Sequence, residues 1–262
     1  MAAGPAGGGA ATAPLAAMEE QIEGRRPVRE ALAAGRSIRK LLVARTARGS
    51  VQEIVGLARG RNVPVQEVDP RWLDRIARTP AHQGVVALAA PRPTAEVDDL
   101  LAAARARGEA PLLVLLDGIQ DPQNAGAIIR VAEAAGAHGV VLPARRASGL
   151  TAAVARASAG AVEHLPVAQV TNLARTIRHL QRQGLWVAGA DPGGQDLYTT
   201  ELAPPLALVI GSEGRGLGRL VRESCDRLVA IPMSGRVASL NAATAAAVIL
   251  FEVRRRLRER QR

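Results

Sequence analysis

The chain has 262 residues, of which 48% are apolar and 2% aromatic, and its formal net charge is +10 at pH 7. This length allows one large domain or two smaller ones, and a basic excess of this size favours a polyanionic partner such as nucleic acid. The single cysteine excludes an internal disulfide, as expected in a reducing cytoplasm, and the four histidines lack metal-ligand spacing.

No targeting or membrane segment is predicted. The N-terminus lacks the charged start and strongly apolar centre of a signal peptide. The longest apolar run, residues 242–251, has about half of the roughly 20 residues that a membrane span requires. We therefore expect a cytoplasmic protein that does not enter a membrane.

The N-terminal part is predicted to form a small α/β domain. Residues 1–20 are almost all Ala, Gly and Pro, which predicts a disordered tail. Between 21 and 90, short helices alternate with strands: helices at 27–34, at 51–59 and after Asp69-Pro70, and strands at 38–44, 63–68 and 84–89. A proline-bearing linker with an Ala/Arg-rich helix is predicted over 91–110.

The C-terminal part, residues 111–262, shows a different pattern. Its strands are unbroken apolar runs with helical stretches between most of them, at 112–116, 139–142, 185–188, 206–210 and 228–231. Continuous apolar strands alternating with helices indicate a parallel sheet covered on both faces. In such sheets ligands bind at the carboxyl ends of the strands, where three loops here are rich in Gly and polar residues.

The first of these loops leads into a helix predicted to start around Asn124. At about 100° per residue, Arg130 lies about 200° from the core-facing Ile128 and points away from the core, with Gly126 leaving open space beside it. A purely structural interpretation is also possible. Asn124 would then be an N-cap and Arg130 a solvated charge, and geometry alone favours this interpretation.

The second loop, 208–218, is glycine-rich, so its backbone could approach a ligand closely. It matches neither a dinucleotide fingerprint nor a phosphate-binding loop, and Glu213 would repel phosphate. The third loop, 231–241, precedes an Ala-rich helix that Ser239 or Asn241 could merely cap.

Together the three loops resemble the SpoU/TrmH branch of the SPOUT RNA 2′-O-methyltransferases. The matching motifs are Asn124-x-Gly126-x-x-x-Arg130, Ile210-Gly211-Ser-Glu213-Gly214-x-Gly216, and Ile231-Pro232-Met233-x-Gly235 through Ser239-Leu240-Asn241. The upstream segments resemble the substrate-binding domain of the bacterial 23S guanosine methyltransferase subgroup, a domain that itself resembles a ribosomal protein. These segments are Glu23-Gly24, Val28-x-Glu30-Ala31-Leu32 and His82-Gln83-Gly84-Val85.

The resemblance implies a trefoil-knotted catalytic domain, a homodimer, and S-adenosylmethionine as methyl donor without a metal. The implied reaction is 2′-O-methylation of the ribose of a guanosine in 23S ribosomal RNA. By position, the donor-binding residues would be Gly211, Ile231, Met233 and Leu240. The catalytic set would be Asn124, Arg130, Glu213, Ser239 and Asn241.

Two other functions remain open. The shared motifs do not separate ribosomal from transfer RNA, and only the N-terminal segments favour ribosomal RNA. A non-catalytic RNA-binding or ribosome-assembly protein is the other alternative, although it would not need the polar set of the three loops. The four aromatic residues count against a base-stacking RNA platform.

Overall fold

A computed structural model describes residues 20–90, 94–144 and 147–260. The predicted N-terminal tail, up to residue 19, and the first linker residues, 91–93, lie outside the described residues. The predicted domain boundaries stay a prediction, as does the trefoil knot implied by the resemblance. Among the described residues, no helix combines the length and the apolar character needed to cross a bilayer.

The first sheet has four strands in the order β1-β4-β2-β3: β1 (Glu20–Glu23), β2 (Ile38–Ala44), β3 (Val65–Val68) and β4 (Val85–Ala89). Strand β4 is antiparallel to β1 and β2, and β2 is parallel to β3. The carboxyl ends of β1, β2 and β3 therefore share one edge with the amino end of β4. Three helices accompany this sheet: α1 (Arg25–Ala33), α2 (Val51–Gly60) and α3 (Pro70–Ile76).

The second sheet confirms the predicted parallel architecture. Its order is β10-β8-β9-β5-β6-β7, and every neighbouring pair is parallel. The strands are β5 (Leu112–Asp117), β6 (Gly139–Pro143), β7 (Val167–Val170), β8 (Trp186–Asp196), β9 (Leu206–Gly211) and β10 (Arg227–Ala230). The carboxyl ends of β5, β8, β9 and β10 therefore meet at one edge.

Six helices cover the two faces of this sheet: α4 (Val97–Ala106), α5 (Pro122–Ala134), α6 (Ala152–Ala157), α7 (Leu173–Arg182), α8 (Arg219–Ser224) and α9 (Ala242–Arg260). Alternate residues of β5 point to opposite cores. Val114 packs with residues of α5, α6 and α9, whereas Leu113 packs with residues of α4, α7 and α8. Because both faces are buried, the strand is apolar at every position from Leu112 to Leu116.

Arg36, two residues before β2, joins the four-stranded sheet to the short helical turn at Ala161–Glu163. Its buried guanidinium pairs with Glu20, reaches Glu163 at 3.5 Å and donates to the Ala90 carbonyl at 2.9 Å. Strand β1 also packs against α6. The four-stranded sheet is therefore held against the helical layer that contains α5.

Candidate active site

Helix α5 begins at Pro122, two residues before the predicted start, and Asn124 is not its cap. Asp121 caps the helix by accepting hydrogen bonds from the backbone N–H groups of Gln123 and Asn124, at 3.0 and 3.4 Å. Asp is a favoured N-cap and Pro a favoured first helical residue, so Asp121-Pro122 starts the helix before Asn124. The Asn124 side chain is therefore available for another role.

Three polar side chains, one from each predicted loop, form a hydrogen-bonded cluster that we name the amide cluster: Asn124, Glu213 and Asn241. Asn124 Nδ2 donates to Glu213 Oε1 at 3.0 Å. Asn241 Nδ2 donates to Asn124 Oδ1 at 2.8 Å and also to Glu213 Oε1. The structure thus brings together three of the five predicted catalytic residues.

Asn241 also caps helix α9. Its Oδ1 accepts from the backbone N–H groups of Ala243 and Thr244, at 2.9 and 3.2 Å. The two roles use different ends of the side chain, because the carbonyl oxygen caps the helix while the NH₂ group bonds to the cluster. Capping and membership of the site, set out as alternatives from the sequence, are both present.

A cavity of about 510 Å³ lies beside the amide cluster, between the irregular middle of β8 and the loops that follow β9 and β10. Its wall includes Glu213 and these predicted residues: Gly211, Ile231, Met233, Ser239 and Leu240. The backbone polar groups of Ile231 and Leu240 have no hydrogen-bond partner among residues 20–90, 94–144 and 147–260. Backbone groups without partners in a cavity wall are suited to binding a polar ligand.

Position 211 requires glycine because the backbone at Gly216 passes close to it. Ser212 and Gly216 exchange two backbone hydrogen bonds, at 3.1 and 2.9 Å, so the loop after β9 turns back on itself. A Cβ at Gly211 would lie 2.3 Å from the carbonyl carbon of Gly216. The close approach predicted at this loop is therefore made by the chain itself at Gly211, while the same residue also lines the cavity.

The space predicted beside Gly126 is filled, so that prediction was wrong. Gly126 is buried, and a Cβ there would lie 2.4 Å from Ala157 Cβ and 2.7 Å from the Val154 carbonyl oxygen. Both neighbours belong to α6. Glycine allows α5 and α6 to pack closely at this crossing.

Arg130 is exposed, as predicted, but it does not join the amide cluster. Its guanidinium makes no hydrogen bond or ion pair with any residue that the structure describes. It lies six positions beyond Asn124, about 240° around the helix at 100° per residue. Ser239 is likewise exposed on the cavity wall.

The sequence interpretation missed Asp191, which lines the cavity where β8 loops out before it resumes pairing with β10. Burial would raise the pKa of Asp191, but hydrogen bonds from Arg222 at 3.0 Å and from the Gly193 N–H at 2.9 Å hold it below its ordinary value. The Asp191 carboxylate is therefore paired with the Arg222 guanidinium on the cavity wall. Asp191 lies in a Gly- and Pro-rich stretch in the middle of β8, a composition similar to that of the other loops.

Metal-binding residues are not gathered in the part of the chain that the structure covers. No group of three or more His, Cys, Asp or Glu side chains there could hold a metal ion. Metal independence, implied by the resemblance, stays a prediction for experiment.

Nearly the whole chain is similar to known RNA methyltransferases. The SpoU rRNA methylase family matches residues 111–251, and the domain described as RNA 2′-O ribose methyltransferase substrate binding matches residues 21–95. A Bacillus subtilis protein, YacO, placed in the TrmH family of tRNA/rRNA methyltransferases, is 46% identical over 244 residues, covering 92% of this chain and 98% of its own.

Two solved structures show the same similarity in three dimensions. The SpoU methyltransferase AviRb from Streptomyces viridochromogenes, in complex with the cofactor AdoMet, has a TM-score of 0.79 and 30% identity. The alignment covers 93% of this chain and 92% of AviRb. An AdoMet-bound rRNA methyltransferase from Sinorhizobium meliloti has a TM-score of 0.74 and 29% identity, with 92% and 88% of the two chains covered.

Proposed function

The chain belongs to the SpoU rRNA methylase family of RNA methyltransferases, and from this premise we propose that it methylates a ribose 2′-hydroxyl with S-adenosylmethionine. The observation that carries the proposal is the amide cluster, which joins polar residues of three separate loops beside a ligand-sized cavity. A purely RNA-binding module would need neither the cluster nor the cavity.

The cavity fits the methyl donor. S-adenosylmethionine supplies a methyl group on a positively charged sulfur, which an oxygen nucleophile can attack. The unpartnered backbone groups of Ile231 and Leu240 can bind its polar atoms, with Gly211 and Met233 beside them. Asp191, paired with Arg222, lines the same wall.

The amide cluster orients the reacting groups. A ribose hydroxyl is a weak nucleophile until its proton is removed or its developing charge is stabilised. Arg130 is assigned to that stabilisation, as a clamp on the developing alkoxide and an adjacent phosphate, because a guanidinium resists deprotonation. Asn124, Glu213 and Asn241 fix the geometry, and the exposed Ser239 contacts the RNA.

The proposed substrate is a guanosine in 23S ribosomal RNA, methylated in the cytoplasm. The match to the SpoU rRNA methylase family and the similarity to an rRNA methyltransferase support ribosomal RNA. The substrate-binding domain over 21–95 supports an RNA substrate. The N-terminal part is assigned to RNA affinity, and the part from about residue 110 onward to the donor.

A homodimer is also proposed. Phe251, on the outer side of α9, is 51% exposed, and it lines a cavity of about 590 Å³ together with Ala134 of α5. An exposed aromatic ring on the helix that Asn241 caps is a suitable contact for a second copy, about 15 Å along α9 from the amide cluster at 1.5 Å per residue.

The test is to map 2′-O-methylation on ribosomal and transfer RNA from cells with and without this protein, and to repeat the transfer with purified protein in EDTA. A guanosine ribose in 23S RNA should lose its methyl group when the protein is absent. If only transfer RNA lost a methyl group, the substrate would be transfer RNA instead of 23S RNA. Failure to transfer to any RNA, with the donor bound, would leave a non-catalytic protein, and loss of donor binding in EDTA would contradict metal independence.

A further inference from the structure

The shared edge of the four-stranded sheet is unusually basic. It comprises residues 23–26, 45–50 and 69–84, which we name the arginine edge. Seven arginines lie there: Arg25, Arg26, Arg45, Arg48, Arg71, Arg75 and Arg78. None of them makes an ion pair with a described residue.

The carboxylates on this edge do not neutralise these arginines. The same segments contain three, and each is engaged elsewhere. Glu23 is buried and binds the loop at Arg78 and Thr79, Asp69 caps α3, and Asp74 lies 2.9 Å from His82 Nε2. Arg25 and Arg48 donate to oxygens within the edge. The other five guanidiniums have no hydrogen-bond partner among the described residues and suit a row of phosphates, since each can donate two directed hydrogen bonds.

The edge is held in a fixed shape. Arg25 Nε donates to the Gln83 carbonyl and Arg25 Nη1 to Ser50 Oγ, both at 3.2 Å, so three loops are joined. Gly84 donates its N–H to His82 Nδ1 at 3.2 Å, which leaves the Nε2 proton of a neutral ring to bind Asp74. The upstream motifs noted in the sequence therefore build this edge, and little order has to be imposed when a ligand binds.

Trp72 adds an exposed ring to the edge. It lies on α3, one position after Arg71 and three before Arg75, and it is 38% exposed. A scarcity of aromatic residues was expected to count against base stacking. In the structure, however, all four aromatic side chains are more than a third exposed, and only Trp72 lies on the arginine edge.

We propose that the arginine edge binds an unpaired loop of the substrate RNA, with its phosphates on the arginines and one base stacked on Trp72. Protein side chains read RNA mainly through single-stranded loops, whose unstacked bases lie on aromatic rings. A duplex keeps its bases stacked, so it could use the charges but not the ring. The inference rests on the proposed function, that the protein methylates RNA.

The ring can be tested directly, because the chain has two tryptophans. In Trp186→Phe, Trp72 is the only indole, and its fluorescence should be quenched by a hairpin RNA with a single-stranded loop, but not by a duplex of equal length. Trp72→Ala should weaken hairpin binding by about five- to 150-fold, and Trp72→Phe should retain most of the affinity. Trp186→Ala, which removes the other exposed indole, should have no effect.

The charges are tested with two triple variants of equal charge. Arg45→Ala/Arg71→Ala/Arg75→Ala removes three arginines of the edge. Arg175→Ala/Arg178→Ala/Arg182→Ala removes three exposed, unpaired arginines of α7. The edge variant should raise the KM for RNA, leave kcat unchanged at saturating RNA, and reduce the log–log salt slope of binding by about two to three. The α7 variant should leave all three quantities unchanged, and both should melt like the unmodified protein.

These outcomes separate the inference from the proposed function. If the unmodified protein methylates RNA while the edge variants keep its KM and salt slope, the arginine edge is not the binding site. An equal effect of the α7 variant would show that only net charge matters and would also overturn the inference. If the unmodified protein methylates no RNA under any condition, the proposed function itself fails.

Discussion

Asn124 and Asn241 are 117 positions apart in the chain, yet Nδ2 of Asn241 lies 2.8 Å from Oδ1 of Asn124. This contact ties the start of α5 to the start of α9, two helices that pack on the same face of the six-stranded sheet. Glu213 accepts from both amides and adds the loop after β9. The three loops are therefore oriented as one unit.

The two roles of Asn241 can be separated by substitution. Serine is as good an N-cap as asparagine but is too short to reach Asn124, whereas alanine can do neither. Asn241→Ser should therefore keep its stability while methyl transfer falls by about a hundredfold, the scale of a small misplacement of reacting groups. Asn241→Ala should in addition lose about 1 kcal/mol of unfolding free energy. Thermal melts measure the stability of both variants, and single-turnover assays measure their rate of methyl transfer. Full activity in Asn241→Ser would show that the amide cluster is only structural.

Gly126→Ala should destabilise the protein, because its Cβ would lie 2.7 Å from a backbone oxygen of α6 that cannot rotate away. Overpacking of this kind costs about 1 to 3 kcal/mol. The matched control is Gly56→Ala in α2, where a Cβ meets nothing within 4 Å and helix propensity should add about 0.5 to 1 kcal/mol. In denaturant unfolding, the free energy of unfolding should fall for Gly126→Ala and rise for Gly56→Ala. Equal shifts would mean that the α5–α6 crossing relaxes easily.

The sequence was informative wherever local rules and tertiary packing agree. Successive residues of β5 from Leu112 to Leu116 are apolar because both faces of the strand are covered. The loops that follow parallel strands then lie at the same end of the sheet. That reasoning predicted that the loops carrying Asn124, Glu213 and Asn241 would meet. It did not predict which atoms would bond, since hydrogen-bond partners depend on side-chain direction.

Long-range packing explains what was missed. The strand predicted at 185–188 extends to Asp196, because pairing with β10 resumes at Gln195 after an irregular stretch. Gly194 allows the two backbones to approach, and a Cβ there would lie 2.5 Å from the Leu228 carbonyl carbon. The sequence pattern alone did not indicate this return to pairing. Strand β1 was missed because its four residues, two of them Glu, carry no clear apolar alternation.

Acid should weaken the ion pairs that Glu252 makes within α9. Hydrogen bonds from Arg255 hold the pKa of Glu252 at about 2, against an ordinary value of 4.5; burial opposes this, and Arg256 supports it. A folded-state pKa below the unfolded one stabilises the fold above about pH 4.5, and this stability is lost as the pH falls towards 2. The difference in unfolding free energy between the unmodified protein and Glu252→Gln should therefore shrink over that interval. A difference that stayed constant from pH 7 to pH 3 would contradict the assignment, and Glu259→Gln, an exposed partner of the same Arg255, is the control.

The proposed dimer can be tested at Phe251. Phe251→Asp puts a charge on the exposed face of α9, where burial against a second copy would become costly. Light scattering at micromolar concentration should show a dimer for the unmodified protein and a monomer for this variant. Tyr198→Asp, at a ring of similar exposure near the end of β8, should remain dimeric. A fully active, monomeric unmodified protein would overturn the proposal.

Arg130 tests the proposed chemistry most directly. Arg130→Ala removes an exposed side chain without a partner among the described residues, so stability should change by less than about 0.5 kcal/mol. Methyl transfer should fall by roughly a hundredfold or more, as when one preorganised donor to a developing oxyanion is removed. Donor binding, measured by calorimetry, should barely change, because Arg130 does not line the cavity.

Arg130→Lys distinguishes charge from geometry. Lysine keeps the positive charge but loses the planar fork, so a clamp that needs two directed hydrogen bonds, one to the alkoxide and one to a phosphate, should still fail. A lysine variant with near-normal transfer would show that charge alone is sufficient. Near-normal transfer by Arg130→Ala would instead return Arg130 to a solvated surface charge and remove it from the proposed mechanism.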